Sequence, residues 1–415
     1  MGEFGGALYL KCAKFTAEDA IFQNNTSGGN GGAILVDEVD GLSAQFTNCQ
    51  FLNNTAGFNG VVYAFPNIDG GLTFTGCTFF GNSDFQGGAI SAWQVAYLTV
   101  IGCDFEQNSI RIGGDGAAMY GTGYQPHTTV LYILHSTFHK NIGTAAPGSA
   151  SVNAISCQCV GIMNSSFTDH LGVAVGIDDA FGICSSGTYP PLFNLSTIAD
   201  NGQDFNDQYI TQTILASTSV DIRNCTCSGN VDSTFLGSRE SKVVATNLPG
   251  GAGLSILTTQ YVVLVDLTFT DNKALEGGAL LLDTSTYILV WRCIFTNNLA
   301  TQGGGEIASV NNVHSPAGNL LIGQSVLSDN TASTGGGIYG ADQASMVITN
   351  STIISNNRAA TNGGGISCED CAAVTLQLQA AIGSNLAGAS GGAVYCDSCT
   401  TYVSNDPQYT QNSRL

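Results

Sequence analysis

Four cysteines near the end of the chain have spacing that suits a metal site or a disulfide site. Cys368-Glu-Asp-Cys371 and Cys396-Asp-Ser-Cys399 are two C-x-x-C units set 28 residues apart. Four thiolates in two such pairs can hold zinc tetrahedrally. In an oxidising compartment the same residues form disulfides, either within each C-x-x-C or as Cys368–Cys396 and Cys371–Cys399. Acidic neighbours raise a thiol pKa and disfavour thiolate-based redox chemistry. Disulfides at Cys368, Cys371, Cys396 and Cys399 are therefore expected, with no metal and no cofactor assigned.

Other reactive residue types give less. The five histidines, at 127, 135, 139, 170 and 314, lack any zinc-enzyme spacing. Asp178-Asp179 offers a carboxylate pair, read here as solvated turn acids. The arginines at 111, 223, 239, 292 and 358 stand singly. No catalytic residue is assigned, and a non-enzymatic chain is expected. Seven Asn-x-Ser/Thr triplets begin at Asn24, Asn25, Asn53, Asn164, Asn194, Asn224 and Asn350. Asn25 is itself a turn residue of a repeat, so the expected glycan acceptors are Asn24, Asn53, Asn164, Asn194, Asn224 and Asn350. Asn164, Asn224 and Asn350 lie three positions before a core residue, an odd offset that faces out of a strand.

These residues sit in a chain of 415 with 53 Gly, 14 Cys, only 11 Lys+Arg and 31 Asp+Glu, giving a net charge of −20. A phosphate backbone needs clustered cations, so nucleic-acid binding is excluded. No apolar run reaches the roughly 20 residues of a membrane helix. The opening MGEFGGALYLKCAKF does not read as a secretory signal, yet the cysteines and sequons point outside the cytosol.

What positions the candidates is a repeat. An apolar residue followed three positions later by Asn recurs at Phe22, Phe51, Phe79, Phe105, Phe138, Phe167, Ile198, Cys227, Phe269, Phe295, Leu327, Ile353 and Ile382. Only the copy at Phe167 loses its Asn, to His170. Five cysteines (Cys49, Cys77, Cys103, Cys225 and Cys293) stand two residues before the repeat residue, a small inward site read as a ladder of buried thiols. Between copies runs a Gly-Gly pair with an aliphatic residue close behind, as at Gly31-Gly32-Ala33-Ile34 and Gly364-Gly365-Ile366. A unit of about 28–30 residues cannot bury its own apolar face, but stacked copies can. The spacing predicts an all-β fold, a single right-handed parallel β-helix of about 13 coils, each roughly 4.8 Å from the next. The coils are expected over residues 1–400, with an excursion near 237–250 and a polar segment over 401–415. Phe should stack inside, and Asn amides should hydrogen-bond between coils.

The alternation of GGA[I/L/V] with FxxN, as in GGAI at Gly31 and Gly87 and FTNN at Phe295, resembles the chlamydial polymorphic outer-membrane protein repeat along almost the whole chain. Members of that family look like surface-exposed adhesins with a β-helical passenger, and related repeats occur in large extracellular proteins of protists. The resemblance together with the sequons implies an extracellular or cell-surface structural or adhesive glycoprotein. The open strand edges of a β-solenoid predict a rod that self-associates end to end or joins other surface proteins, with glycans as further partners. The alternative is a carbohydrate-active β-helix enzyme (lyase or glycoside hydrolase type), or a module binding carbohydrate or Ca²⁺. β-Helical pectinases of the polygalacturonase type carry Asn-Thr-Asp, Gly-His-Gly and Arg-Ile-Lys motifs, and this sequence has none of them.

Overall fold

The computed structural model describes residues 5–11, 14–37, 43–65, 68–85, 87–110, 116–123, 129–143, 150–178, 220–230, 252–312, 319–342, 345–404 and 407–414. Within them every regular element is a strand, and every pairing is parallel to the equivalent strand one coil away. Three sheets of 13 strands each run the length of the rod, joined by a short sheet of 6 strands towards its C-terminal end. One coil passes through the first sheet (for example Ile34–Val36), the second (Ser43–Thr47) and the third (Gln50–Leu52) before the next begins. The β-solenoid expected from the repeat is the fold observed.

Alternation decides which side chains enter the rod. In Thr78–Phe80 the central Phe79 is buried between two half-exposed neighbours, and in Ser43–Thr47 Ala44 and Phe46 point inward. Stacking in register then builds columns. Phe22, Phe51, Phe79, Phe105, Phe138 and Phe167 lie face to face, with consecutive centroids 4.9, 4.7, 4.5, 4.7 and 4.8 Å apart. Phe46 and Phe74 of the second sheet stack in the same way and meet this column edge-on. Such pairs add about 0.5–1.5 kcal/mol beyond the area they bury.

Beside the Phe column runs a ladder of buried amides. Asn108 Oδ1 accepts from both the backbone N–H and the Nδ2 of Asn82, at 3.1 and 2.9 Å. Asn108 Nδ2 donates to the carbonyl of Phe79 and to Asn141 Oδ1. The pattern begins at Asn25 and Asn54 and ends at Asn385 and Asn412. His170 stands in for one Asn: its Nδ1 accepts from Asn141 N–H at 3.1 Å, and burial lowers its pKa to about 3. The residue before each ladder position turns the corner with positive φ, as at Asn53 (52°) and Asn297 (56°), a conformation Asn tolerates. The Gly pair has two separate causes. Gly363 takes φ +65°, and a Cβ on Gly364 would lie 2.5 Å from the Gly392 carbonyl of the next coil.

Four details differ from the sequence reading. Phe167 pairs directly with Cys227, where the spacing placed the Ile198 copy next, and the residues of that copy lie outside those described. The thirteenth rung is Tyr409, paired with Ile382, and Asn412 extends the amide ladder. The segment after residue 400 is therefore a coil, not a separate polar tail. Its strands Thr401–Ser404, Gln408–Thr410 and Ser413–Arg414 follow the register even though their side chains are polar and exposed, because backbone pairing does not depend on an apolar side chain. In the twelfth copy the register residue is Ile354, not Ile353, which puts Asn357 in the ladder. The excursion expected near 237–250 lies outside the described residues. Where Cys227 replaces Phe, a cavity of about 10 Å³ is left among Phe167, Ile222, Cys225 and Phe269.

Removing one amide from the ladder orphans several groups at once. Asn298 accepts from the N–H and Nδ2 of Asn272 and donates to the Phe269 carbonyl. With about 1–3 kcal/mol for each buried polar group left unpaired, Asn298→Ala should destabilise by about 3 kcal/mol or more, seen as a lower urea midpoint. Glu306 is a second test. It occupies the small-residue position of its repeat, is fully buried and bonds Asn330 Nδ2. Burial raises its pKa well above the usual 4.5. The unfolded chain ionises Glu306 as pH rises past that ordinary value while the folded chain does not, so stability falls with rising pH. Glu306→Gln should raise the melting temperature at pH 7 and lose that advantage near pH 4.

Candidate functional site

The cysteine quartet occupies the last two coils at one corner. Cys368 lies in Ile366–Glu369 of the first sheet, directly in register with Cys396. Cys371 and Cys399 follow at the turn into the second sheet. Cys368 and Cys371 form a disulfide with a Cα separation of 6.1 Å, while Cys396 and Cys399 are free thiols. The expected bond within a C-x-x-C is thus present in the first unit only. The Sγ atoms of Cys368, Cys371 and Cys399 lie within 4.8 Å of one another. The Cys399 thiol donates to the Cys368 carbonyl at 3.8 Å. Burial, then the Cys399 thiol beside it, pushes the Cys396 thiol up to about 12.

Three adjacent sulfurs, two of them already bonded, allow thiol–disulfide exchange. Attack by a Cys399 thiolate on the Cys368–Cys371 bond would form one mixed disulfide and release one thiolate, conserving the number of S–S bonds. Zinc binding would require that bond to be reduced and Cys396 to join the group.

The remaining sequence candidates are dispersed. Cys49, Cys77, Cys103, Cys225 and Cys293 are buried free thiols at the inward corner position, as expected. The Cys77 N–H donates to Cys103 Sγ at 3.3 Å, and Ser136 Oγ takes the Cys103 N–H in the same way. Asp178 ends the strand Val173–Asp178, and Asp179 lies outside the described residues. His135 is an exposed corner residue, whereas His139 bonds Thr168 Oγ1 at 2.8 Å. His127 and His314 fall outside the described residues. Arg292 forms a bidentate pair with Asp266 one coil below, with both bonds at 2.7 Å, and Arg223 pairs with Asp221.

Asn24, Asn53, Asn164 and Asn224 are exposed, and Asn350 is half-buried. All five have positive φ between 50° and 56°, so they sit at corners and not on strands, which corrects the strand-borne reading. Asn tolerates the left-handed region that each corner demands. Asn224 Nδ2 donates to Asn164 Oδ1 at 2.7 Å, one coil apart. The Thr352 hydroxyl of the Asn350 triplet is fully buried and bonds the Thr349 carbonyl. Asn194 lies outside the described residues.

Sequence reasoning missed the outer face of the first sheet. Tyr63, Ser91, Tyr120, Leu281, Ala308 and Ser367 alternate with the inward residues yet are buried, so much of this face is shielded from solvent. Aromatic rings line its first coils: Tyr63 to Phe65, Phe65 to Trp93 and Trp93 to Tyr120 have centroids 5.9, 6.4 and 6.0 Å apart. The signal lay in the residue between two inward positions, as Tyr9 in Ala-Leu-Tyr-Leu and Tyr63 in Val-Val-Tyr-Ala.

Each coil thus runs from a third-sheet strand through the ladder Asn and the Gly pair to a first-sheet strand. That stretch is what two segments of the chain share with a known family. Residues 19–37 and 351–369 match the Chlamydia polymorphic membrane protein repeat. The first match spans Ile21–Gln23, Asn25, Gly31-Gly32 and Ile34–Val36. Among curated proteins none matches the chain by sequence. Among solved structures, crystal structures of the periplasmic alginate epimerase AlgG and of one of its point mutants are similar, at 11% identity and a TM-score of 0.52. Each alignment covers 91% of this chain and 76% of the other, a likeness of fold alone.

The quartet makes a direct prediction. Mass spectrometry of unreduced peptides should show Cys368 linked to Cys371, with Cys396 and Cys399 alkylated. A Cys368–Cys396 link would contradict the structure.

Proposed function

We propose that this chain is an extracellular or surface rod with a structural or adhesive role, not a catalytic one. The observation that carries this reading is the continuous interior. Phe stacks, amide ladder and thiol corner run through coil after coil of a fold that shares its repeat with polymorphic membrane proteins. The Cys368–Cys371 bond fits an oxidising compartment. The repeat family is one of membrane proteins and the similar solved structure is a periplasmic protein, which fits a non-cytoplasmic location. Glycans at the exposed corners Asn24, Asn53, Asn164 or Asn224 belong to the same reading.

End-to-end association is part of the proposal. Each coil presents a parallel strand edge that matches the edge of its neighbour, and such edges can template further pairing between chains. The test is surface biotinylation of intact cells of the native source, followed by peptide mapping with and without N-glycosidase. The expected result is labelling without permeabilisation and glycosidase-sensitive peptides covering Asn24, Asn53, Asn164 or Asn224. A protein confined to the cytosol, with every cysteine reduced, would overturn the reading.

A further inference from the structure

The outer face of the first sheet has a chemistry of its own over its first five coils. A cavity of about 200 Å³ opens there, lined by Tyr9, Asn30, Leu35, Asp37, Tyr63 and Phe65. Asp37 is fixed from two sides: the Tyr9 hydroxyl donates to its Oδ2, and Lys11 Nζ lies 3.1 Å from the same oxygen. On the opposite margin Asn59 Nδ2 donates to Asn30 Oδ1 at 3.0 Å, and this bond orients the Asn59 amide. Two residues that touch the cavity lining but do not line it, Asn59 beside Asn30 and Trp93 beside Phe65, each bury a polar atom without a hydrogen-bond partner, Asn59 Oδ1 and Trp93 Nε1. Buried polar groups are normally paired, so polar packing behind the cavity wall is incomplete, while Asp37 and Asn30 supply the polar groups of the wall itself.

The aromatic residues specify the rest of that ligand. Tyr63, Phe65, Trp93 and Tyr120 place rings on three successive coils, and a coil rises by about 4.8 Å, close to the length of one hexose unit in an extended chain. Tyr9, Phe65 and Trp93 keep exposed ring surface that can pack against the C–H face of a sugar, while Asp37 and the Asn30 amide are suited to its equatorial hydroxyls. Charge selects among saccharides. Lys11 compensates Asp37 within the cleft, and the net charge of −20 on the chain as a whole repels uronate or sulfated polymers.

We infer that this cleft binds a neutral hexose oligosaccharide, with one ring seated among Tyr9, Asp37, Tyr63 and Phe65 and the chain running along the rod towards Trp93 and Tyr120. The inference goes beyond the proposed rod and does not depend on where the rod resides.

The chain has two tryptophans, Trp93 and Trp291, so the site carries a built-in reporter. The full chain is titrated with neutral glucose, mannose and galactose hexamers and, separately, with an oligouronate, and followed by calorimetry and tryptophan fluorescence. The expected result is saturable binding of at least one neutral hexamer, a fluorescence change that vanishes in Trp93→Phe, and no binding of the oligouronate. Phe65→Ala and Asp37→Ala should each weaken binding at least tenfold with an unchanged urea midpoint. Tyr395→Ala, at the other end of the same sheet, should bind as wild type. If Phe65→Ala unfolds the rod, Phe65→Leu replaces it, keeping the bulk but not the ring, and the same loss is expected. No binding of any neutral hexamer at millimolar concentration, binding untouched by both cleft variants, or preference for the oligouronate would each overturn the proposal.

Discussion

Everything in this molecule depends on one requirement: each coil must offer the next a surface identical to the one it received. The buried Asn amide meets that requirement with unusual economy, because it accepts from the neighbouring backbone and side chain through one oxygen and donates onward through its nitrogen. It needs the same residue type above and below to be satisfied. The Phe stacks obey the same rule of like upon like, with interplanar angles of 2–10°. A sequence repeat is the genetic expression of this physical demand, and the left-handed corners beside it explain why Asn, Asp and Gly dominate the rest of the repeat.

That demand is also why the fold was legible. Every inward column leaves a periodic trace, so the Phe positions, the Asn ladder and the small thiol corner could be placed from spacing alone. Spacing misled only where the trace was ambiguous. Two adjacent isoleucines, Ile353 and Ile354, offered two registers, and the rung observed next to Phe167 is Cys227. The last coil escaped notice for the opposite reason: Tyr409 and Asn412 hold their register with polar neighbours around them.

The cleft was harder to read because outward positions are free to vary. Tyr9, Leu35, Tyr63, Ser91 and Tyr120 share one row and no common residue type. Nothing in linear spacing says that this face is shielded while the third sheet leaves Ile21, Ile294 and Ile353 exposed. The cysteine quartet falls between these cases. Its two-coil register was visible in the spacing of 28 residues, but which thiols pair depends on Sγ positions that no spacing encodes.

The two irregular rungs have a mechanical meaning. His170 weakens the amide ladder in the coil of Phe167, although its backbone N–H still donates to Asn230 Oδ1, and Cys227 replaces a ring in the coil that follows, leaving a void beside Phe167 and Phe269. The rungs on either side of His170 therefore keep one ladder bond where Asn82 and Asn108 make two. Inter-coil hydrogen bonds run along the rod axis, so tension on the ends loads the interfaces in series, and a series fails at its weakest link. Among the described coils, the rungs beside His170 keep one ladder bond each, and under stretching they are expected to yield before the asparagine rungs that make two, as a fuse protects the rest of a circuit.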